Sequence, residues 1–329
     1  MNGLVTGGAG YIGSHAVKAL LVDGHQVAVV DNLSKGHRKA ISPGASFYQV
    51  DLHETARLEE ILRENKIEVV MHFAAFIEVG ESVSKPVMYY RNNTGGALSL
   101  LTAMSAAGVK RFIFSSTAAT YGQPDRVPIE EDDRQRPINP YGWTKWMVER
   151  ILRDLSMSDP DFAFTALRYF NVAGAAQDGT IGENHCPESH LIPNVLAVPL
   201  GQKEFASVFG QDYQTADGTC VRDYVHVEDL ISAHILSMKA LTPGRRKFYN
   251  LGIGHGYSVR EIIDAAREVT GHPIPIKYGP RRPGDPDSLF ACSNKIQQEL
   301  QWKPRFTDVH DVIQTAWNWH KNHPNGYGE

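Results

Sequence analysis

The first half of the chain alternates short apolar runs with helical patterns, and few architectures accept that arrangement. The runs are GLVTG (3–7), QVAVVD (26–31), SFYQVD (46–51), EVVMHFAA (68–75), RFIFSST (111–117) and FAFTALRYF (162–170). Between them, SHAVKALLVDG, ARLEEILRENK and GALSLLTAMSAAG carry apolar residues at helical spacing. Strands that are apolar nearly throughout need cover on both faces, and intervening helices supply it. The pattern predicts an α/β fold, a doubly wound parallel sheet of Rossmann type. Beyond about residue 172 it loosens, and Gly, Pro and Asp become frequent. The expected organisation is a first domain over 1–172 and a smaller C-terminal lobe over 173–329. The strand-helix unit RDYVHVEDLISAHILSM (222–238) is expected to rejoin the first domain.

The turn after the first run specifies a ligand class. VTGGAGYIGSHAVKALL sets Gly7, Gly10 and Gly13 at G-x-x-G-x-x-G spacing between a strand and a helix. Such glycines allow a tight turn and let the backbone approach a pyrophosphate, which meets the free N–H groups and positive dipole end of the helix. Tyr11 and Ile12 lie within the same turn. Asp31 ends the second run, where a carboxylate hydrogen-bonds a ribose 2′-hydroxyl and repels a 2′-phosphate. NAD is therefore expected over NADP, despite Lys35 and Arg38 in the following loop. Asp51 ends the third run and reads equally as an adenine contact or as a strand-end turn residue.

Composition excludes other classes. Net charge is −4 over 329 residues, so no basic excess points to nucleic acid. No apolar run approaches the ~20 residues of a membrane span. The N-terminus enters the glycine turn directly, so no signal peptide is expected. Three cysteines, Cys186, Cys220 and Cys292, have no C-x-x-C spacing, which fits a reducing compartment and a cytoplasmic protein. Neither His185 nor Cys186 is accompanied by a second pair at ligand spacing, so no metal is expected.

The stretch NPYGWTKWMVERI (139–151) carries the chemistry. Tyr141 and Lys145 are one helical turn apart, on one face of a helix that Pro140 starts. A phenol titrates near 10 and is a poor base at neutral pH. An ammonium about 5 Å away at an effective dielectric of ~20 would favour the phenolate by roughly 3 kcal/mol, or about two pKa units. A positively charged nicotinamide nearby would add to this.

The glycines, SST at the end of a later strand and Y-x-x-x-K 24 residues beyond Thr117 occur in one order. That combination resembles the extended short-chain dehydrogenase/reductase family and, within it, the UDP-hexose 4-epimerases. The matching segments GGAGYIGSH, DNL, HFAA, VGES, FSSTAATYG, PYGWTK, RYFNVAGA, FGQDYQTADGTCVRDYVHVEDL and RRPGD span nearly the full length. The resemblance implies an NAD-dependent isomerase that interconverts UDP-galactose and UDP-glucose through a transient 4-keto sugar, with NAD regenerated in each cycle. It implies a sugar bound in the cleft between domain and lobe.

It also implies residue roles. Tyr141, Lys145 and Thr117 would be catalytic, with Lys145 also on the nicotinamide ribose. Asn32, Leu52, Phe73, Ala74, Ala75, Asn92, Ser115, Tyr169 and Phe170 would border the cofactor, with Gly7, Gly10, Tyr11, Ile12, Gly13, Asp31 and Asp51. Ser115 and Ser116 could equally cap the loop, and His72 reads as packed. Ile77 departs from the family, where a lysine is frequent. Arg222 and Arg282 match pyrophosphate positions, Asp285 a uridine-ribose contact, and Ser207 with Phe209 the uracil site. Asn171, His190 and Leu191 would hold sugar and diphosphate beside Thr117 and Tyr141. Leu289 matches a position that sets room for a 2-N-acetyl group, and its intermediate volume leaves UDP-N-acetylglucosamine or dual specificity open.

Two other readings remain. A nucleotide-sugar 4,6-dehydratase needs an acid and a base after the threonine, where this chain has Ala118 and Ala119. A non-catalytic NAD-sensing scaffold would not need the intact tyrosine and lysine. The helices GALSLLTAMSAAG and YGWTKWMVERILRDL, the latter with Trp146, Met147 and Ile151, carry surplus apolar surface, which in the family pairs into a homodimer.

Overall fold

The computed structural model describes residues 1–282 and 286–328. From the N-terminus run β1 (Asn2–Thr6), α1 (Tyr11–Val22), β2 (Gln26–Asp31), β3 (Ser46–Gln49), α2 (Thr55–Glu64) and β4 (Val69–His72). Next come α3 (Val79–Ser84), α4 (Pro86–Tyr89), a π-helical turn Tyr90–Gly95, α5 (Gly96–Ala107), β5 (Arg111–Thr117), α6 (Pro140–Ser158) and β6 (Ala163–Tyr169). Then follow β7 (Asn171–Ala173), α7 (Leu191–Leu196), β8 (Ala206–Phe209), β9 (Val221–Arg222), β10 (Tyr224–His226), α8 (Val227–Lys239) and β11 (Arg246–Leu251). The chain closes with β12 (Tyr257–Ser258), α9 (Val259–Thr270), β13 (Ile276–Gly279), β14 (Ser288–Leu289), α10 (Asn294–Leu300) and α11 (Val309–Asn322).

All six expected runs become strands of one seven-stranded sheet, ordered β11-β6-β5-β4-β1-β2-β3. β1 pairs in parallel with both β2 and β4, so the strand order reverses there. That is the switch point of a doubly wound sheet, where ligands meet the carboxyl ends of the strands. Leu4, Val70, Phe112 and Phe164 of the strands pack with Leu58 of α2, Leu100 of α5 and Leu152 of α6. Each such buried side chain contributes about 1.5–3 kcal/mol. α2 shows how the periodicity sorts faces: Leu58, Ile61 and Leu62 are buried, while Arg57 and Arg63 pair with Glu60 and Glu59 on the outside.

The chain divides into two compact units. The first comprises residues 1–122, 134–168 and 231–249; the second comprises 123–133, 169–230 and 250–329. The segment 222–238 is split. Its strand, β10, pairs with β7 rather than with the central sheet, while the helix is counted in the first unit from Ile231 onward. The seventh sheet strand is β11, which begins RKF and is buried only over its last three residues, so it lacks the apolar run that marks the others. Segment 123–133 joins the second unit because Ile129 bonds Phe290 O through its N–H and accepts from Asn250 Nδ2 through its oxygen.

Among the described residues the second unit holds three small sheets: β10-β7, β12-β9-β14 and β13-β8. Its core gathers Ile192 and Leu196 of α7, Ile262 and Ile263 of α9, and Val312 and Ile313 of α11. α9 starts on a capping box in which Ser258 and Glu261 exchange side chain-to-backbone bonds, satisfying two N–H groups that have no partner within the helix.

Candidate active site

The glycine turn is built for close approach. Gly7 has φ +73°, and a Cβ there would lie 2.6 Å from Ala74 N; a Cβ on Gly13 would lie 2.0 Å from Gly7 O. Only glycine fits either position. α1 begins at Tyr11 with no side-chain cap on its first turn, leaving N–H groups for an anion. Asp31, at the end of β2, accepts from Ala9 N (3.0 Å) and Leu33 N (2.8 Å), which ties the turn to the strand end. Burial pushes its carboxyl up, and those two N–H bonds oppose the shift. Asn32 Nδ2 donates to Asp51 Oδ2 at 2.8 Å, which brings together these two residues expected to border the cofactor. Lys35 faces Glu78, and the Arg38 guanidinium lies 4.2 Å from the Phe47 ring centroid. Both cations that follow Asp31 in the chain thus have partners within the protein. This donor set fits NAD.

Phe73 and Ala74 follow β4 and bond Thr6 O through their N–H groups, at 3.0 and 3.1 Å, beside Gly7. Ala75 comes next in the chain. Asn92 sits in the π-helical turn, with Nδ2 on Asn93 Oδ1. Tyr169 ends β6 and, with Phe170, is counted in the second unit.

Tyr141 opens α6. Asn139 caps that helix by accepting from Gly142 N at 2.8 Å, and Pro140 occupies its first turn. The Tyr141 hydroxyl hydrogen-bonds the side chain of Thr117, at the end of β5. Lys145, one turn later and buried, donates from Nζ to Ser115 O at 2.8 Å and lies 5.1 Å from the Phe114 ring centroid. The structure therefore brings Thr117, Ser115, Tyr141 and Lys145 together.

The electrostatics correct one expectation. Burial pushes the Tyr141 phenol up to about 12, with the Thr117 bond opposing it, and burial draws the Lys145 ammonium down to about 7. Desolvation of the charged form is the largest influence on each group, and spacing along the chain does not report it. His72 is packed, as read from sequence. It pairs with Thr6 Oγ1 at 2.7 Å, and burial, then the Lys145 charge, take it down to about 3, so it stays neutral.

In the second unit, Ser207 and Phe209 share the exposed face of β8, and the Arg282 guanidinium lies 4.4 Å from the Phe209 ring centroid. Arg222 is paired in register with Leu289 across β9 and β14. Asp223 joins this pair to Asn171: its oxygen accepts from Asn171 N (3.2 Å) and its N–H donates to Leu289 O (3.1 Å). His190 is the N-cap residue of α7, and Leu191 is its first residue. Asp285 lies outside the described residues.

Residues 3–252 match the model of the NAD dependent epimerase/dehydratase family. The chain belongs to that family. The UDP-glucose 4-epimerase of Lactobacillus helveticus is 55% identical, with 99% of each chain covered. A solved UDP-glucose 4-epimerase structure superposes with TM-score 0.97 at 52% identity, covering 100% of both chains. Another, from Bifidobacterium longum in complex with NAD+ and UDP, superposes at 0.95 with 40% identity, covering 99% of this chain and 100% of that one.

In this epimerase/dehydratase family member, the buried support of the tyrosine-lysine pair is a feature that sequence reading missed. Glu149 accepts from Ser116 Oγ (2.6 Å) and is gripped by Arg168 Nε (2.9 Å) and Nη2 (2.7 Å). Arg168 also donates to the Tyr121 hydroxyl at 2.7 Å. These bonds lock α6, β5 and β6 together around Ser115 and Thr117. A signal was present: Tyr141, Lys145 and Glu149 recur every four residues on one face of α6. The second omission is a cluster of Glu183, His185, Glu188 and His190, whose ligand-type atoms all lie within 4.8 Å of one another. His185 is therefore not alone, and the spacing E-x-H-x-x-E-x-H carried the hint.

Proposed function

We propose that this chain is a UDP-glucose 4-epimerase that interconverts UDP-galactose and UDP-glucose with Tyr141, Thr117 and Lys145 as its catalytic residues. The observation that carries the reading is the meeting of Tyr141, Thr117 and Lys145 at the carboxyl end of β5, beside a glycine turn that fits NAD. Ala118 and Ala119 follow Thr117, which leaves no carboxylates for a dehydration and argues against the 4,6-dehydratase.

The turn at Gly7, Gly10 and Gly13 holds the pyrophosphate, Asp31 the adenosine ribose, and Lys145 the nicotinamide ribose. When bound, NAD supplies an acceptor that returns what it takes from sugar C4, and a positive charge that favours the Tyr141 phenolate. Tyr141 Oη takes the proton of the sugar 4-hydroxyl, with Thr117 Oγ1 orienting that hydroxyl. Arg222 and Arg282 hold the diphosphate, Phe209 and Ser207 the uracil, and Asn171 with His190 and Leu191 the sugar side. While the nucleotide stays clamped, the sugar presents its other face, and Tyr141 returns the proton to the 4-oxygen, restoring the hydroxyl on the inverted centre.

Two further assignments belong to this reading. Leu98 of α5 and Trp143 of α6 are partly exposed, next to half-buried Trp146, Met147 and Ile151. We assign this apolar surface to a twofold homodimer. We place the enzyme in the cytoplasm, a reading supported by three cysteines, Cys186, Cys220 and Cys292, that show no C-x-x-C spacing. Among the described residues no helix is long and apolar enough to cross a membrane.

The test is conversion of UDP-galactose to UDP-glucose by purified protein with no added nicotinamide and no net change in cofactor absorbance. Stable release of a dehydrated keto sugar, or NAD binding without turnover, would overturn it in favour of the dehydratase or the sensor.

A further inference from the structure

From the cluster that precedes α7 we infer a structural zinc site formed by Glu183, His185, Glu188 and His190. Four ligand-type groups converge from eight consecutive residues. His190 Nδ1 lies 2.8 Å from Glu183 Oε1 and 3.0 Å from Glu188 Oε1, while His185 Nδ1 lies 3.2 Å from Glu183 Oε1 and 3.6 Å from Glu188 Oε2. In a tetrahedral zinc site with bonds of ~2.0–2.1 Å, ligand atoms stand roughly 3.3 Å apart. The four observed separations straddle that edge length.

Glu183 provides a second, independent observation. Its side chain is 4% exposed, and within that enclosure Oε1 faces two imidazole nitrogens at once, His190 Nδ1 at 2.8 Å and His185 Nδ1 at 3.2 Å. An enclosed carboxylate oxygen in that position is costly unless a cation meets it. Against burial, Glu183 and Glu188 push both imidazoles up, so zinc would displace their protons; the two carboxylates and two neutral imidazoles left then carry −2, which the ion neutralises. The ligand atoms are also pre-oriented. Glu188 Oε1 accepts from the N–H groups of Ser189 and His190, both at 2.7 Å, and the main-chain oxygen of Glu183 accepts from Trp319 Nε1 at 3.3 Å. Such outer bonds hold ligands in place for a metal.

With four protein ligands the site is closed, so its role is structural. It fastens segment 183–190 to the start of α7. His190 would use Nδ1 for the metal, leaving Nε2 for the sugar-side role proposed above.

The alternative is that protons on the two imidazoles hold the carboxylates without a metal. Full-length protein prepared without metal-affinity chromatography and dialysed against EDTA distinguishes the two. Titrated with ZnCl2, the wild type should bind about one zinc per chain. Its Tm should rise by at least about 3 °C at an excess of roughly 100 Kd. His185→Ala and Glu183→Gln should each weaken zinc binding at least about tenfold, while His185→Cys, which keeps a zinc ligand, should retain the metal. Failure of the stripped wild type to take up zinc at micromolar concentration overturns the site, as does binding by His185→Ala that equals wild type. Because uptake by the wild type is measured first, a variant that does not fold leaves the inference open to refutation.

Discussion

Lys145 Nζ donates to the main-chain oxygen of Ser115 at 2.8 Å, joining helix α6 to the end of strand β5 inside the first unit. Through that bond the lysine is held in place by the sheet rather than by Tyr141, although the two side chains are one helical turn apart. The buried ammonium therefore has a fixed acceptor, and burial still draws it down to about 7.

That position has a pH signature in NAD-free protein. The unfolded lysine titrates near 10.4 and the folded one about 7, so between these values the unfolded chain binds more protons. Stability should thus rise with pH across this window, by up to about 1.4 kcal/mol per unit, and the contribution is lost as pH falls through about 7. Urea unfolding of wild type and Lys145→Met at pH 7, 8 and 9 checks it. An unchanged difference between the two proteins would refute the shift. Tyr141, raised to about 12, acts in the opposite sense above about pH 10, where stability falls as pH rises.

Tyr141→Phe removes the proposed proton carrier while keeping the ring. Turnover should fall by at least about 10²–10⁴, with NAD content and Tm near wild type. Near wild-type turnover in a folded, NAD-loaded variant would transfer the role to another residue.

Breaking the pair beneath the site should act on stability first. Glu149→Gln leaves the 1%-exposed Arg168 side chain without its carboxylate, a loss of about 3–5 kcal/mol. Adding Arg168→Met should recover part of that loss, because the unpaired buried charge is gone. Chemical denaturation of the single and double variants reads the coupling; simple additivity would show that the two residues act independently.

Leu289 tests the substrate range. Its register partner is Arg222, so a larger side chain there stands beside a proposed diphosphate contact. Leu289→Tyr should depress kcat/KM for UDP-N-acetylgalactosamine more than for UDP-galactose. An equal fall for both would show that Leu289 does not gate the 2-substituent.

The six apolar runs, the glycine turn and the tyrosine-lysine spacing were readable because each is a short-range pattern. Alternation encodes which faces are buried, and residues four apart share a helix face wherever that helix packs. β11 escaped because only Tyr249, Asn250 and Leu251 are buried, and a strand flanked on one side only needs no uniform apolar run. Segment 123–133 escaped because its partners, Asn250 and Phe290, lie more than a hundred residues away.

By itself the sequence determined a doubly wound sheet, an NAD-type turn and a Tyr141–Lys145 face, since local periodicity and glycine stereochemistry suffice for those. Tertiary structure alone decided that Glu149 meets Arg168, that Glu183 and Glu188 face His185 and His190, and that the Tyr141 phenol moves up rather than down. Those outcomes depend on which charges lose water and which distant groups replace it. Desolvation is a property of the packed interior, and no spacing along the chain encodes its magnitude.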